Sequence, residues 1–224
     1  MCTISVVPTV DGFRVVSNRD ERYDRPVAHA PSEHILRSGT ATFPVDPATG
    51  GTWIGINGHR VVAGLLNRYP LAAFTHIPSQ SRGVIIPHVL NGRSITETVD
   101  AALSLDAREF APFRLLLLDG RDVYVVSSCA EGLTCATGLL ASPMMLTGSA
   151  LGDFVVETPR RRLFDRLMAA SPSLRDGQTS FHQHQWADRR DISVLMQRQD
   201  ATTVSRTSIT VSHDGASIEY ERLW

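Results

Sequence analysis

The stretch MCTISVVPTVDGFRVVSNRDERYDRP, residues 1–26, decides how the rest of the chain is read. Residues 3–7 and 13–18 are rich in β-branched and apolar side chains, and Asp11-Gly12 between them is a hairpin signal. A two-residue turn at Asp11-Gly12 pairs Val10 with Phe13, which sets Cys2 opposite Glu21 and Ile4 opposite Arg19. Alternation along each strand then puts Cys2, Arg19 and Glu21 on one face and Asn18 and Asp20 on the other. Pro8 interrupts the first strand, and a bulge there would shift the register by one and exchange the two acids. In either register the hairpin gathers a cysteine, an arginine and a carboxylate.

The chemistry follows from the chain end. An initiator methionine is usually trimmed before a small second residue, which would leave Cys2 with both a thiol and an α-amine. The amine titrates near ~7.7–8 and a thiol near ~8.5, so the amine can accept the thiol proton near neutrality. A neighbouring guanidinium favours the thiolate. Such a nucleophile needs no histidine, and the eight histidines form no evident triad.

The bulk composition narrows the alternatives. The chain has 224 residues, 42% apolar and 20% charged, and is expected to form a single domain over 1–224. A net charge of -1 gives no electrostatic footprint for nucleic acid. All 22 basic residues are arginine, which excludes a lysine Schiff base. Cys2, Cys129 and Cys135 show no CxxC spacing, against a disulfide framework or a zinc site, and no metal is expected. No basic leader precedes the first strand and no apolar run approaches the ~20 residues of a membrane span, so the expected location is the cytoplasm.

Further hairpins are read from TWIGI through Asn57-Gly58 to RVVAGLL, from FRLLLLD through Gly120 to DVYVVSS, and from TTVSRTSITVS across Asp214-Gly215 to ASIEYERL. ISVLMQR at 192–198 is expected to add a strand. Ser94-Ile95-Thr96-Glu97 is a capping box that opens a helix to about Leu105. Thr158-Pro159 is expected to start a second helix, RRRLFDRLMAA. Antiparallel strands with few helices make the fold class α+β.

MC at 1–2, SNRDE at 17–21, RP at 25–26, GGTWIGIN at 50–57 and VAGLLNR at 62–68 together resemble the NRDE family, that of the transport and Golgi organisation protein 2. LTGSALGD at 146–153, ETPRR at 157–161 and RQDATTVSRT at 198–207 extend the likeness over nearly the whole chain. The resemblance implies an N-terminal nucleophile hydrolase of the cysteine branch, similar to bile salt hydrolases and penicillin V acylases. The implied fold is a four-layer αββα sandwich of two antiparallel sheets between helices. Cys2 matches the nucleophile, Arg19 the arginine beside it, and Asp20 or Glu21 the carboxylate that orients the α-amine. Asn67 resembles the asparagine of the oxyanion hole. Gly148 stands where the hydrolases carry a second asparagine, leaving a backbone N–H of Gly148 or Ser149 as a substitute donor. Arg206 matches a late active-site arginine, and Asn18 and Trp53 are expected to contact substrate.

The implied activity is cleavage of non-peptide amide bonds in a small molecule through a Cys2 thioester, with no cofactor required. The alternative is a non-catalytic relative that handles haem or acyl ligands, since the family is linked with haem trafficking and lipid homeostasis. There the arginines would pair with propionates and Cys2 or a histidine would be an axial ligand. Arg160, Arg161 and Arg162 are read either as a solvated face or as an anion-binding helix start. His182 and His184 would share a face on a strand, a geometry open to metal ligation. A homo-oligomer is compatible with the sequence.

Overall fold

The computed structural model describes residues 2–69, 77–129 and 132–224. The chain divides into two compact units, one of residues 1–25 and 141–224 and the other of residues 26–140. The first expected domain element, the N-terminal hairpin, therefore completes its unit with the last third of the chain.

In the first unit, β1 (Cys2–Pro8) pairs with β2 (Phe13–Arg22). Their neighbours are β10 (Met144–Gly148), β11 (Ala201–Ser212) and β12 (Gly215–Arg222). The five-stranded sheet is antiparallel throughout, in the order β10-β1-β2-β11-β12. Two helices lie against it, α3 (Asp153–Ala170) on β10 and α4 (Leu174–Gln183) on β1 and β2. Met145, Leu163, Phe164, Phe181 and Val194 form the apolar contact between them.

The second unit is a seven-stranded antiparallel meander. It runs in chain order through β3 (His29–Leu36), β4 (Gly39–Val45), β5 (Ile54–Asn57), β6 (Val62–Asn67), β7 (Phe113–Asp119), β8 (Asp122–Cys129) and β9 (Gly132–Leu139). Helices α1 (Ile85–Val89) and α2 (Ile95–Leu103) cover it, with Ile86, Val89, Val99, Phe113 and Leu115 in the shared core. The expected cap at α2 is present, Ser94 Oγ accepting the Glu97 N–H. Gly51 lies so close to Gly83 that a Cβ on it would meet the Gly83 Cα at 2.6 Å, which is why GGTW begins with glycines. The α+β class with two antiparallel sheets is thus observed, each sheet carrying its own pair of helices.

Four expectations are corrected. The first hairpin has a four-residue loop instead of a two-residue turn: Pro8 pairs with Phe13, and the Thr9 N–H donates to the Gly12 carbonyl. Proline offers no N–H to the ladder, so pairing ends there. Helix α3 starts at Asp153, which puts Pro159 inside it. Val156, Arg160, Leu163 and Phe164 are buried at helical spacing, so packing extends the helix past the proline. Residues 192–198 form no strand. Side chains take the first carbonyls, Arg160 those of Ile192 and Ser193 and Asn18 that of Val194, and pairing with β11 is limited to an isolated bridge of Gln197 with Thr202 and its flanking bonds. His182 ends a helix and His184 follows it, so the two do not share a strand face.

Candidate active site around Cys2

Register decides which side chains meet. Cys2 lies opposite Arg19 on β2 and opposite Gly148 on β10, and Ile4 lies opposite Ser17. The slip from the expected pairing is two residues, an even number, so the face assignments survive. Cys2, Arg19 and Glu21 share one face. Thr3, Ser5, Asn18 and Asp20 share the other, beneath α3 and α4.

Cys2 is 8% exposed. Burial pushes its thiol above the ordinary value and the Asp20 carboxylate adds to this. The Arg19 guanidinium and a hydrogen bond from the Asp20 backbone N–H work the other way without overcoming burial. The thiol therefore stays protonated at neutral pH and needs a base to become a nucleophile.

The two acids of NRDE have different surroundings. Glu21 is half-buried, 3.2 Å from Arg19 Nη2, and also accepts the Arg22 N–H. Asp20 is buried and receives the Thr203 hydroxyl on Oδ1 at 2.6 Å. Burial raises the Asp20 pKa, against the opposing pull of Arg160, the Thr203 hydrogen bond and Arg198. Asp20 thus acts on the Cys2 thiol both through its charge and through its backbone.

Several expected site residues have other duties. Asn18 is wholly buried: its Nδ2 donates to the carbonyls of His182 and Val194, and its Oδ1 faces His182 Nδ1 at 3.0 Å. It is a clamp, not a substrate contact. Arg160 is buried within α3 rather than at its start. It binds the hydroxyls of Thr3 and Thr147 and the carbonyls of Ile192 and Ser193, and burial lowers its pKa to about 10. Arg206 lies opposite Asn18, on the face away from Cys2, and pairs with Glu221. The Ser149 N–H donates to Asp153 at 3.0 Å, and its hydroxyl receives Arg198, so Ser149 is not an unengaged oxyanion donor. Gly148 does border Cys2. In the second unit, Asn67 closes β6 and donates to the Tyr69 hydroxyl at 3.3 Å, and Trp53 is buried just before β5.

A polar layer that strand patterning does not reveal joins these residues. Ser5 Oγ lies 2.7 Å from His182 Nε2, and Gln178 Nε2 donates to Ser5 and to the Arg14 carbonyl. The Asn18 amide donates to carbonyls, so its oxygen accepts from His182 Nδ1–H and leaves Nε2 to accept from Ser5. Burial, with Arg206, Arg14 and Arg160 nearby, holds His182 neutral. Thr203, Arg198 and His182 were not singled out from the sequence as partners of this hairpin, because only the fold brings them there. Among the described residues, no group of three or more His, Cys, Asp or Glu is placed to hold a metal.

Cys2 at the start of β1, Arg19 opposite it and the buried Asp20 next along β2 thus stand within a fold that solved structures share. Solved structures of similar shape include an acid amidase, a bile acid hydrolase and a penicillin acylase. An N-acylethanolamine-hydrolyzing acid amidase ortholog from Caenorhabditis elegans superposes with a TM-score of 0.62 at 14% identity, covering 97% of this chain and 100% of its own. A mutant conjugated bile acid hydrolase from Clostridium perfringens gives 0.54 at 11% identity, covering 100% and 92%. Penicillin V acylase from Agrobacterium tumefaciens gives 0.50 at 13% identity, covering 100% and 86%. Comparison with curated protein sequences gives no match. The family model for Transport and Golgi organisation 2 matches residues 1–224, and the chain belongs to that family.

Proposed function

We propose that this protein hydrolyses non-peptide amide bonds of small molecules, with Cys2 as nucleophile. The observation that carries the reading is the register of the first hairpin, which sets the buried Cys2 opposite Arg19, the neighbour of the buried Asp20. After removal of Met1, which lies outside the described residues, the Cys2 α-amine takes the thiol proton and the sulfur attacks the amide carbon. The amine then returns that proton to the leaving nitrogen as the C–N bond breaks, giving a thioester. Water, deprotonated by the same amine, cleaves the thioester and restores the thiol. Asp20 holds the amine and Arg19 holds the thiolate. No metal or cofactor takes part in these steps. The similar folds bear the names amidase, acylase and hydrolase, which supports the reaction class.

Two measurements test the reading. Intact mass of purified protein is expected to fall short of the full chain by one methionine residue, ~131 Da, as the free amine requires. A panel of N-acyl amides is expected to be turned over by the native protein and not by Cys2→Ala. Retained methionine, or equal turnover by Cys2→Ala, would end the proposal. A haem Soret shift lost in Cys2→Ala, without amide turnover, would point to ligand handling instead.

A further inference from the structure

β11 departs from regular pairing with β2 at one place. Thr203 lies opposite Asp20 and Ser205 opposite Arg19, so Val204 is an extra residue between them. Regular pairing would set Val204 opposite Asp20. The bulge instead turns a hydroxyl toward the carboxylate. That hydroxyl has its direction fixed from behind: the Met196 N–H donates to Thr203 Oγ1 at 2.8 Å, leaving the hydroxyl proton for Asp20 Oδ1 at 2.6 Å. The Thr203 backbone N–H in turn donates to the Met196 carbonyl at 2.9 Å, so the residue is held on both sides. Both Thr203 and Asp20 are buried, and the Leu223 N–H engages the Val204 carbonyl, tying down the bulged residue itself.

We infer that Thr203 is a positioning residue, whose hydroxyl, aimed by the bulge, fixes the Asp20 carboxylate where it can hold the Cys2 α-amine. The inference rests on the N-terminal nucleophile reading, but its test needs no amide substrate. Thr203→Val removes the hydroxyl at nearly constant shape, and Thr203→Ser keeps it. Thr203→Cys, a weaker donor of similar size, serves if the valine variant does not fold.

Two profiles are measured on each variant, the titration of Asp20 by carboxyl ¹³C NMR, assigned with Asp20→Asn, and the rate of Cys2 alkylation by iodoacetamide against pH. A lost hydrogen bond to a charged group is expected to raise the Asp20 midpoint by about one pH unit in Thr203→Val. Alkylation of Cys2 near neutral pH is expected to slow about tenfold, as a misplaced base would cause. Thr203→Ser is expected to keep both. A lower Tm with both profiles unchanged would overturn the inference, and so would a moved Asp20 midpoint with unchanged Cys2 alkylation. If both profiles move and no amide is hydrolysed by the native protein, the positioning role stands and the hydrolase reading falls.

Discussion

Ser17, Ser205 and Thr207 stand on the Cys2 face of the first sheet, in rows beside Ile4 and Arg19. Their hydroxyls are buried and have no hydrogen-bond partner among the described residues. An unsatisfied buried hydroxyl costs about 1–3 kcal/mol, so Thr207→Val is expected to stabilise the protein by about 1 kcal/mol in urea unfolding. A loss of stability would show that the hydroxyl is engaged. Asn18 is the opposite case, since three of its hydrogen bonds connect β2 to the end of α4 and to the segment after it. Asn18→Ala leaves two buried carbonyls and an imidazole N–H without partners, and is expected to cost about 3 kcal/mol or more. The Asn of NRDE thus contributes to stability, and its Asp is the group the proposed mechanism uses. The sequence motif alone does not separate those roles.

At the level of elements, the hairpin, the α+β class and the face shared by Cys2, Arg19 and Glu21 were all legible, because alternation survives an even slip of register. The buried polar layer was not. Thr3 and Ser5 alternate with Cys2, Ile4 and Val6 as they would in a strand with one face in water. They are covered instead by Arg160, Gln178 and His182, which come from helices far along the chain. Residues 192–198 misled for a related reason: side chains of Arg160 and Asn18 take the carbonyls of Ile192, Ser193 and Val194, and pairing with β11 is confined to the bridge of Gln197 with Thr202 and its flanking bonds. Local glycine chemistry was also only half legible. Gly51→Ala is expected to destabilise by about 2 kcal/mol or more, because its Cβ meets backbone that cannot swing aside. Thermal unfolding checks this, and an unchanged Tm would show that the Gly51–Gly83 approach can open.

For the molecule as a whole, pH acts through the buried groups. His182 in the folded state has a pKa well below its usual 6.5, whereas in the unfolded chain it takes a proton near that value. Below pH 6.5 the unfolded state therefore binds the extra proton, and stability falls as pH falls, by up to about 1.4 kcal/mol per unit. Asp20 acts in the opposite sense: its raised pKa lets the native state take up a proton first and gain stability as pH falls. Urea midpoints measured from pH 7 to 5 are expected to decline in the native protein and to flatten in His182→Gln once compared at equal starting stability. A decline of the same slope in that variant would assign the effect elsewhere. The split composition of the first unit has a consequence for biosynthesis. A ribosome releases β1 and β2 long before β10 and β11 exist, so the nascent hairpin waits with both edges open. Gly148 reaches Cys2, and Thr203 reaches Asp20, only once about two thirds or more of the chain has been made, so the surroundings of the Cys2 thiol are completed late.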